Sequence, residues 1–434
     1  MAKTLHIRGG KPLSGRIRVA GAKNAASKMM IASLLTSEEV ILDNCPQIEE
    51  ISITSEICEA AGANVRRQGG RTTVHAAHIT SSKVTGLSRA NRISVLALAP
   101  LLHRIGEAEV PLVGGDKIGP RPVNFHLDAL QLMGATIEET ATGYLARAPK
   151  EGLHGATITL AYPSVGATES VIFAGALATG RTRIENAAVE PEIVDIVMLL
   201  QQMGAIIEFG ANRTITIDGV AALHGAHYSI LPDRLEAASF ACLAIATGGE
   251  IIVDGARQSE MVTFLNTVRR IGAEFEVSTD GIRFRRSARQ LTGIEFETDT
   301  YPGFATDWQQ PLVVTLTQAN GISVVHETVS EDRFGYTEDL RRMGADIGVF
   351  AKCLGELPCR YRNRSLRHSA VIEGPTPLTG TEIEIPDIRA GMAQVIAALV
   401  ADGESVLTGV HHLERGYEGL WNKLRAVGAD FDLR

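Results

Sequence analysis

Six short segments of the sequence place charged or hydrogen-bonding side chains where helices are predicted to begin. A helix N-terminus presents free backbone N–H groups and the positive end of the helix dipole, so several such ends directed at one place would bind an anion. Capping alone would explain the Ser, Thr and Asp residues. Lys and Arg oppose the dipole and need another explanation. The segments are Lys23-Asn24, residues 89–92, Ser164-Val165-Gly166, Asp233-Arg234, Thr306-Asp307 and Asp387-Ile388-Arg389.

The amino-acid composition limits the kinds of molecule that the chain is expected to bind. The 434 residues carry a formal net charge of −8, so a nucleic acid is not expected as partner and any anion must be bound by local basic residues. The N-terminal residues have no apolar stretch typical of a signal peptide, and the longest apolar runs are too short to cross a bilayer. We therefore expect a cytoplasmic protein with no membrane span.

The five cysteines are scattered and odd in number, which predicts reduced thiols rather than a disulfide framework. Cys353 and Cys359 are close in sequence, but no second Cys or His pair follows at a zinc-ribbon spacing. We therefore expect no bound metal and no cofactor. The Arg-rich segment 353–368 is expected to be an inserted surface hairpin or loop.

A short phrase of an apolar residue, Gly and Ala recurs six times and indicates the architecture. Each copy ends a helix-like segment and is followed by a strand-like one, so its Gly is expected at the left-handed position just after a helix. The spacing is about seventy residues. The glycines are Gly62, Gly134, Gly204, Gly272, Gly344 and Gly428.

A second, more apolar helix followed by a β-branched strand precedes each copy. The segment 237–247 is one example, and the others are expected to begin near Ser27, Ser94, Ser170, Gln309 and Gly391. Six α/β repeats are too long for common solenoids and fit two domains of three repeats, with sheets of mixed strand direction covered by helices. The expected fold class is therefore α/β.

Several ordered motifs carry a family resemblance. They are Gly21-Ala22-Lys23-Asn24, the segment 114–123 (GGDKIGPRPV), Pro163-Ser164-Val165-Gly166, Glu190-Pro191-Glu192, Leu231-Pro232-Asp233-Arg234, Phe304-Ala305-Thr306-Asp307 and Glu414-Arg415-Gly416-Tyr417. In these motifs the chain resembles the UDP-N-acetylglucosamine 1-carboxyvinyltransferase family from end to end.

The resemblance implies an inside-out α/β barrel fold of two domains. One domain would comprise residues 1–22 and 231–434, and the other residues 23–230, with an active-site loop near residues 112–122 and the active site in the cleft between domains. The implied reaction transfers the enolpyruvyl group of phosphoenolpyruvate to the 3-hydroxyl of UDP-N-acetylglucosamine and releases phosphate. It is the first committed step of peptidoglycan precursor synthesis.

Phosphoenolpyruvate is small and highly anionic, and Arg can bind carboxylate or phosphate with two parallel hydrogen bonds. By resemblance, Lys23, Asn24, Arg121 and Arg415 bind phosphoenolpyruvate. Arg92 is a further basic residue near that site, and Asp387 with Arg389 flanks it. Arg234 and Glu190 belong to the matching motifs as supporting residues.

The addition needs a base near the sugar hydroxyl and an acid for the methylene carbon. Asp307 matches the family position that contacts the hydroxyl, so we expect it to act as base or to position the hydroxyl. Asp116 matches the loop acid, and Lys23 completes the catalytic set. Many relatives have Cys where this chain has Asp116, and the epoxide fosfomycin alkylates that Cys. We therefore expect no covalent inactivation of this chain by fosfomycin.

Further matching positions are expected to bind the nucleotide sugar. They are Arg92, Pro122, Val123, Asn124, Ser164, Val165, Gly166, Asp307 and Val329, with Arg333 in support. Asn124 and Tyr162 depart from the acidic residue and the lysine found in many relatives, so a different nucleotide or nucleotide-sugar acceptor stays open. Gly21-Ala22-Lys23-Asn24 disfavours shikimate 3-phosphate, for which Gly-Ser-Lys-Ser is expected. A catalytically silent UDP-sugar sensor is the alternative from another class.

Overall fold

The computed structural model describes residues 3–112, 114, 123–362 and 364–434, which form two compact units. The terminal unit contains the described residues up to Ala20 and from Pro232 onward, and the inserted unit contains those between Gly21 and Leu231. The chain thus changes unit after Ala20 and after Leu231, whereas the sequence placed these changes after residues 22 and 230.

The helices alternate with short strands along the chain. They are α1 (Lys23–Ala32), α2 (Glu49–Ala60), α3 (Leu98–Ile105), α4 (Asn124–Leu132), α5 (Val165–Ala176), α6 (Pro191–Gln202), α7 (Arg234–Thr247), α8 (Val262–Arg270), α9 (Thr306–Leu316), α10 (Thr337–Arg342), α11 (Ile388–Val400), α12 (His411–Glu414) and α13 (Leu420–Ala426). Short 3₁₀ helices cover Ser33–Leu35, Ile93–Ala97 and Gln258–Glu260.

The strands are short. They are β1 (Leu5–Arg8), β2 (Ser14–Arg18), β3 (Glu39–Asp43), β4 (Asn64–Gln68), β5 (Arg71–His75), β6 (Glu107–Pro111), β7 (Thr136–Glu139), β8 (Gly143–Arg147), β9 (Thr157–Thr159), β10 (Arg181–Glu185), β11 (Ile206–Gly210), β12 (Thr214–Asp218), β13 (Ala226–Ser229), β14 (Glu250–Asp254), β15 (Glu274–Val277), β16 (Gly281–Arg285), β17 (Glu295–Glu297), β18 (Gly321–His326), β19 (Asp346–Phe350), β20 (Ser369–Gly374), β21 (Glu382–Glu384), β22 (Glu404–Thr408) and β23 (Asp430–Leu433).

The glycine of each repeated phrase ends a helix in the way the sequence predicts. All six have positive φ, from 83° at Gly272 to 106° at Gly344. A residue with a Cβ adopts this left-handed conformation only at an energetic cost, so Gly stops the helix and turns the chain into the next strand. The repeat read from the sequence is thus a repeat of the fold.

The described residues of each unit form three sheets, and all but the antiparallel three-stranded sheet combine parallel and antiparallel strand pairs. In the terminal unit the orders are β15-β16-β14-β2, β17-β18-β20-β19 and β21-β22-β1-β23. In the inserted unit they are β11-β12-β10-β9, β13-β3-β5-β4 and β6-β8-β7. The four-stranded sheets each combine one parallel edge pair with antiparallel pairs. The predicted α/β class with mixed sheets is confirmed.

The first helix of each terminal-unit repeat is buried in that unit's core. Helices α7, α9 and α11 contact one another, and nearly every residue of α7 and α11 is buried. A helix that is apolar on all faces is stable only when surrounded by protein, which explains their runs of Ala, Val, Ile and Leu. The charged residues of these helices are confined to their N-terminal turns, where the buried helices come to the edge of the core.

No helix in the described parts of the chain is long and apolar enough to cross a bilayer.

Candidate active site

Asp307 is the second residue of α9, and two arginines hold its carboxylate. Arg333 Nη2 donates to Oδ1 at 2.8 Å, and Arg389 Nε donates to Oδ2 at 3.0 Å. Both arginine side chains are largely buried, while about a fifth of the Asp307 side chain is exposed. Burial alone would raise the pKa of Asp307, but the charges and hydrogen bonds of Arg389 and Arg333 outweigh it and hold this pKa far below its usual range.

Arg389 lies in the first turn of α11 and is held from several directions. Its Nη1 donates to the Tyr417 hydroxyl at 3.2 Å, and that hydroxyl lies 3.0 Å from Ser239 Oγ. Asp387 Oδ1 caps α11 by accepting from the backbone N–H groups of Arg389 and Ala390. The sequence missed this use of Tyr417, although Tyr417 lies inside a quoted motif.

The basic residues at these helix starts have partners that offset their unfavourable position on the helix dipole. Arg389 pairs with Asp307, as described. The guanidinium of Arg234, at the start of α7, lies over the rings of Tyr301 and Trp308, 5.6 and 5.1 Å from their centroids. Such cation–π contacts stabilise a desolvated guanidinium. Arg234 therefore supports the packing beside Asp307.

A buried carboxylate that the sequence did not single out orders the segment around Val329. Glu327 accepts hydrogen bonds from the hydroxyls of Thr298 and Thr306 and from the backbone N–H groups of Val329 and Ser330. Its only sequence signal is its place directly after β18. Through Ser330, whose Oγ lies 3.3 Å from Arg333 Nη1, this network meets the Asp307 cluster.

A second group of predicted residues surrounds a buried histidine in the inserted unit. His126 on α4 is fixed by a 2.7 Å contact between its Nδ1 and Ser170 Oγ on α5. Burial, and next the charge of Arg92, lower the pKa of His126 to about 3, which keeps the ring neutral. A Cβ on Gly166 would lie 2.8 Å from the His126 ring. The structure thus brings Arg92 and Gly166 together around His126, which the sequence missed.

The other predicted residues of this unit lie at helix starts. Ser164 caps α5 by accepting from the Ala167 N–H, which leaves Val165 and Gly166 in the first turn. Val123 is the buried residue before α4, and Asn124 is its exposed first residue. Lys23 and Asn24 begin α1 and are partly exposed, and Glu190 directly precedes α6.

Asp116, Arg121 and Pro122 lie outside the described residues. Arg415 directly follows α12 and is buried, with 6% of its surface exposed. Asp307 is already bonded to two arginines and so is unsuited to bind a metal.

The chain matches known proteins over nearly its whole length. Residues 7–424 match the family described as EPSP synthase (3-phosphoshikimate 1-carboxyvinyltransferase). The fold and the sequence thus define a carboxyvinyl, or enolpyruvyl, transferase. Its solved neighbours include the enolpyruvyl transferase NikO from Streptomyces tendae, at 25% identity and a TM-score of 0.87 over 100% of this chain and 99% of that one. EPSP synthase from Acinetobacter baumannii shares the fold at 18% identity and a TM-score of 0.72, with both chains fully covered.

Curated relatives give the narrower assignment. The UDP-N-acetylglucosamine 1-carboxyvinyltransferase of Protochlamydia amoebophila is 46% identical over 99% of this chain and 94% of its own length. The protein of the same name from Gluconobacter oxydans is 41% identical, covering 98% of this chain and 97% of its own. This chain belongs to the UDP-N-acetylglucosamine 1-carboxyvinyltransferase family.

Proposed function

We propose that the chain transfers the enolpyruvyl group of phosphoenolpyruvate to the 3-hydroxyl of UDP-N-acetylglucosamine, releases phosphate, and so begins peptidoglycan precursor synthesis. The observation that carries the proposal is the Asp307 carboxylate, held ionised by two buried arginines in a chain of this family. An ionised carboxylate with an exposed edge can accept a hydrogen bond from a substrate hydroxyl. A cytoplasmic location follows from this role, because both substrates are cytoplasmic metabolites.

The reaction is an addition followed by an elimination. The sugar hydroxyl gives its proton to a phosphate oxygen of the substrate or to water as its oxygen bonds to C2 of phosphoenolpyruvate, and a proton adds to C3, which gives a tetrahedral adduct. The adduct then loses phosphate from C2 and a proton from C3 and so restores the double bond. Lys23, Asn24, Arg121 and Arg415 are proposed to bind phosphoenolpyruvate, and Asp116 is the proposed proton donor to C3.

The proposed role of Asp307 is to orient the sugar hydroxyl, and not to act as a strong general base that removes the hydroxyl proton. A strong general base has a pKa near the working pH, whereas two guanidinium groups keep this carboxylate far more acidic. An ionised carboxylate that accepts the hydroxyl hydrogen still raises the electron density on the attacking oxygen. Geometry, rather than basicity, is thus its proposed contribution.

Phosphate release from the purified chain tests the proposal. With phosphoenolpyruvate and UDP-N-acetylglucosamine we expect stoichiometric phosphate and a nucleotide product heavier by one enolpyruvyl group. Turnover only with another nucleotide acceptor would favour the alternative raised by Asn124 and Tyr162. Tight binding of the UDP-sugar without phosphate release would favour the sensor instead.

A further inference from the structure

Four potential metal ligands that are not part of the Asp307 cluster converge in the terminal unit. They are His326, Cys353, Cys359 and His368, and their ligand atoms all lie within 4.8 Å of one another. The histidines are buried, and both cysteines are half-buried and free. Sequence spacing does not reveal the whole group, because its ligands come from three separated places in the chain.

The sheet explains why the two histidines meet. Strands β18 and β20 are antiparallel neighbours, and His326 at the end of β18 pairs with Ser369 at the start of β20. His368 therefore lies at the same end of the sheet, with its ring centroid 5.2 Å from that of His326. Strand β19 ends at Phe350, also opposite Ser369, so the segment that carries both cysteines starts from this same edge.

Hydrogen bonds to the outer ring nitrogens leave the inner nitrogens for a ligand. His368 Nδ1 lies 2.6 Å from the Leu366 carbonyl, which can only accept, so the proton is on Nδ1 and Nε2 carries a lone pair. This Nε2 lies 3.2 Å from Cys353 Sγ. His326 Nδ1 contacts Ser369 Oγ at 2.8 Å, and its buried Nε2 has no hydrogen-bond partner among the described residues. Metal-binding histidines are commonly held in this way.

The cysteines complete a set of soft ligands. The Tyr361 backbone N–H points at Cys359 Sγ at 3.4 Å, a donor suited to a thiolate. In a tetrahedral zinc site the Zn–S and Zn–N bonds of about 2.3 and 2.0 Å place the ligand atoms about 3.3 to 3.8 Å apart. In the structure the four ligand atoms lie at most 4.8 Å apart, which exceeds the longest of these distances by only about 1 Å. Two thiolates and two neutral imidazoles are the preferred donors of zinc.

We propose that His326, Cys353, Cys359 and His368 bind one Zn²⁺ in a closed structural site. Two thiolates balance the charge of the ion, and binding releases the two thiol protons to solvent. Four protein ligands leave no open position, so the ion holds the chain together rather than activating water. This site replaces the expectation from sequence spacing that the chain binds no metal.

The site fixes residues 351–362 and 364–368 next to a proposed substrate loop. Gly355 passes over the His326 ring so closely that a Cβ there would lie 2.5 Å from Cδ2. Arg360 and the Tyr361 hydroxyl, which is 2.6 Å away, both donate to the Val329 carbonyl. Zinc would thus stiffen the segment that contacts Val329. A consequence for sugar binding rests on the proposed function, but the metal site itself does not.

Metal content of the full chain tests the site directly. Purified under reducing conditions without chelator, the chain is expected to contain one zinc per molecule by plasma mass spectrometry. The double variant Cys353→Ser/Cys359→Ser should lose it, while Cys58→Ala, which removes a buried thiol in the inserted unit, should retain it. Wild-type chain that takes up no zinc when supplied with excess, or a Cys353–Cys359 disulfide in the freshly purified chain, would overturn the proposal.

Two further measurements test the site even if the double cysteine variant fails to fold. Cobalt loaded into the wild-type chain should show the visible absorption of a tetrahedral ion and thiolate-to-cobalt charge transfer; an octahedral spectrum contradicts the site. Ser369→Ala removes the outer partner of His326 and should weaken zinc binding about tenfold while the fold is kept. Unchanged affinity would deny His326 its role as ligand.

The effect on activity is measured separately. If both proposals hold, zinc removal should raise the KM for UDP-N-acetylglucosamine severalfold and leave the KM for phosphoenolpyruvate almost unchanged. Zinc bound without any transferase activity would refute only the proposed function. Activity in a chain that binds no zinc would refute only the metal site.

Discussion

Asp307 and Arg389 are joined by a 3.0 Å hydrogen bond across 82 residues of sequence. Each lies in the first turn of a buried helix, α9 or α11, and these helices pack against each other in the core of the terminal unit. The rigid core therefore sets the carboxylate position. Arg333, from the segment after Glu327, completes the clamp, and the two guanidinium groups hold the pKa of Asp307 far below its usual range.

The first prediction concerns Asp307→Asn. The amide keeps the size of the side chain but loses its charge and one acceptor, so hydroxyl orientation should fail. We expect kcat to fall by about 10²-fold or more, with a much smaller change in UDP-sugar affinity by calorimetry. Asp280→Asn, in the exposed β15–β16 turn, should behave like wild type. A kcat for Asp307→Asn near the wild-type value would remove Asp307 from the reaction.

The second prediction concerns Asp116, which the family resemblance makes the loop acid. Asp116→Ala should reduce turnover strongly and leave UDP-sugar binding nearly intact, because the change removes a proton donor rather than a sugar contact. Near-normal turnover would show that another group supplies the proton.

The same position allows a gain-of-function test. Asp116→Cys should keep activity and become sensitive to fosfomycin, whereas the wild-type chain should not be alkylated. Intact mass after incubation with the epoxide measures both. Added mass on the wild-type peptide that contains Asp116 would contradict the expectation.

The sequence predicted the repeat because its signal is local. Gly62 and its five equivalents stop helices through a backbone conformation that a residue with a side chain rarely adopts, so the phrase alone reveals the turn. The more apolar helices were also evident, although most begin several residues earlier than their apolar runs, as at Arg234 and Ile388. Charged residues in first turns, such as Arg234 and Arg389, place these helix starts outside the apolar runs.

Long-range partners could not be read from the sequence. Arg389 was expected near the site, but only the packing of α9 on α11 shows that it binds Asp307. His326 and His368 meet through the β18–β20 register, and no spacing rule encodes a register between strands 42 residues apart. Glu327 and His126 belong to no recognisable motif, and their roles become evident only from the groups that surround them in the fold.

The third prediction follows from Glu169, a fully buried carboxyl on α5. Burial raises its pKa, Lys28 lowers it, and Glu190 and Glu192 raise it, which together place this pKa at about 7. Because this pKa is higher than the roughly 4.5 of an exposed glutamate, the folded state binds the proton more tightly. The resulting stabilisation is complete below about pH 4.5 and is lost as the pH rises to about 7, a change of up to about 3 kcal/mol.

Glu169→Gln mimics the protonated carboxyl and should remove this pH dependence. Urea unfolding at pH 5 and pH 8 should show a smaller difference in unfolding free energy for the variant, which is expected to be more stable than wild type at pH 8. Glu151→Gln, at an exposed position, serves as control and should follow wild type. Equal pH dependence in Glu169→Gln and wild type would mean that Glu169 is ionised in the folded chain.

The last prediction tests the contact between Gly166 and His126. A Cβ at Gly166 would lie 2.8 Å from His126 Cε1 and 3.0 Å from Nε2, closer than carbon or nitrogen atoms tolerate. The ring has little room to retreat, because His126 is buried and bonded to Ser170. Gly166→Ala should therefore lower the free energy of unfolding by about 1 to 2 kcal/mol, the overpacking cost outweighing the better helix propensity of Ala.

A double-mutant cycle separates this contact from a general effect of alanine. Gly335→Ala, at an exposed position where the new Cβ meets nothing within 4 Å, should change the unfolding free energy by less than about 0.5 kcal/mol. His126→Ala removes the obstructing ring, so Gly166→Ala should cost much less in that background, with a coupling of about 1 kcal/mol. If the effects of the two substitutions on the unfolding free energy were additive, the stability lost in Gly166→Ala would arise from the α5 backbone and not from contact with His126. If the proposed function holds, Gly166→Ala should also raise the KM for the UDP-sugar, because the first turn of α5 must shift away from the His126 ring.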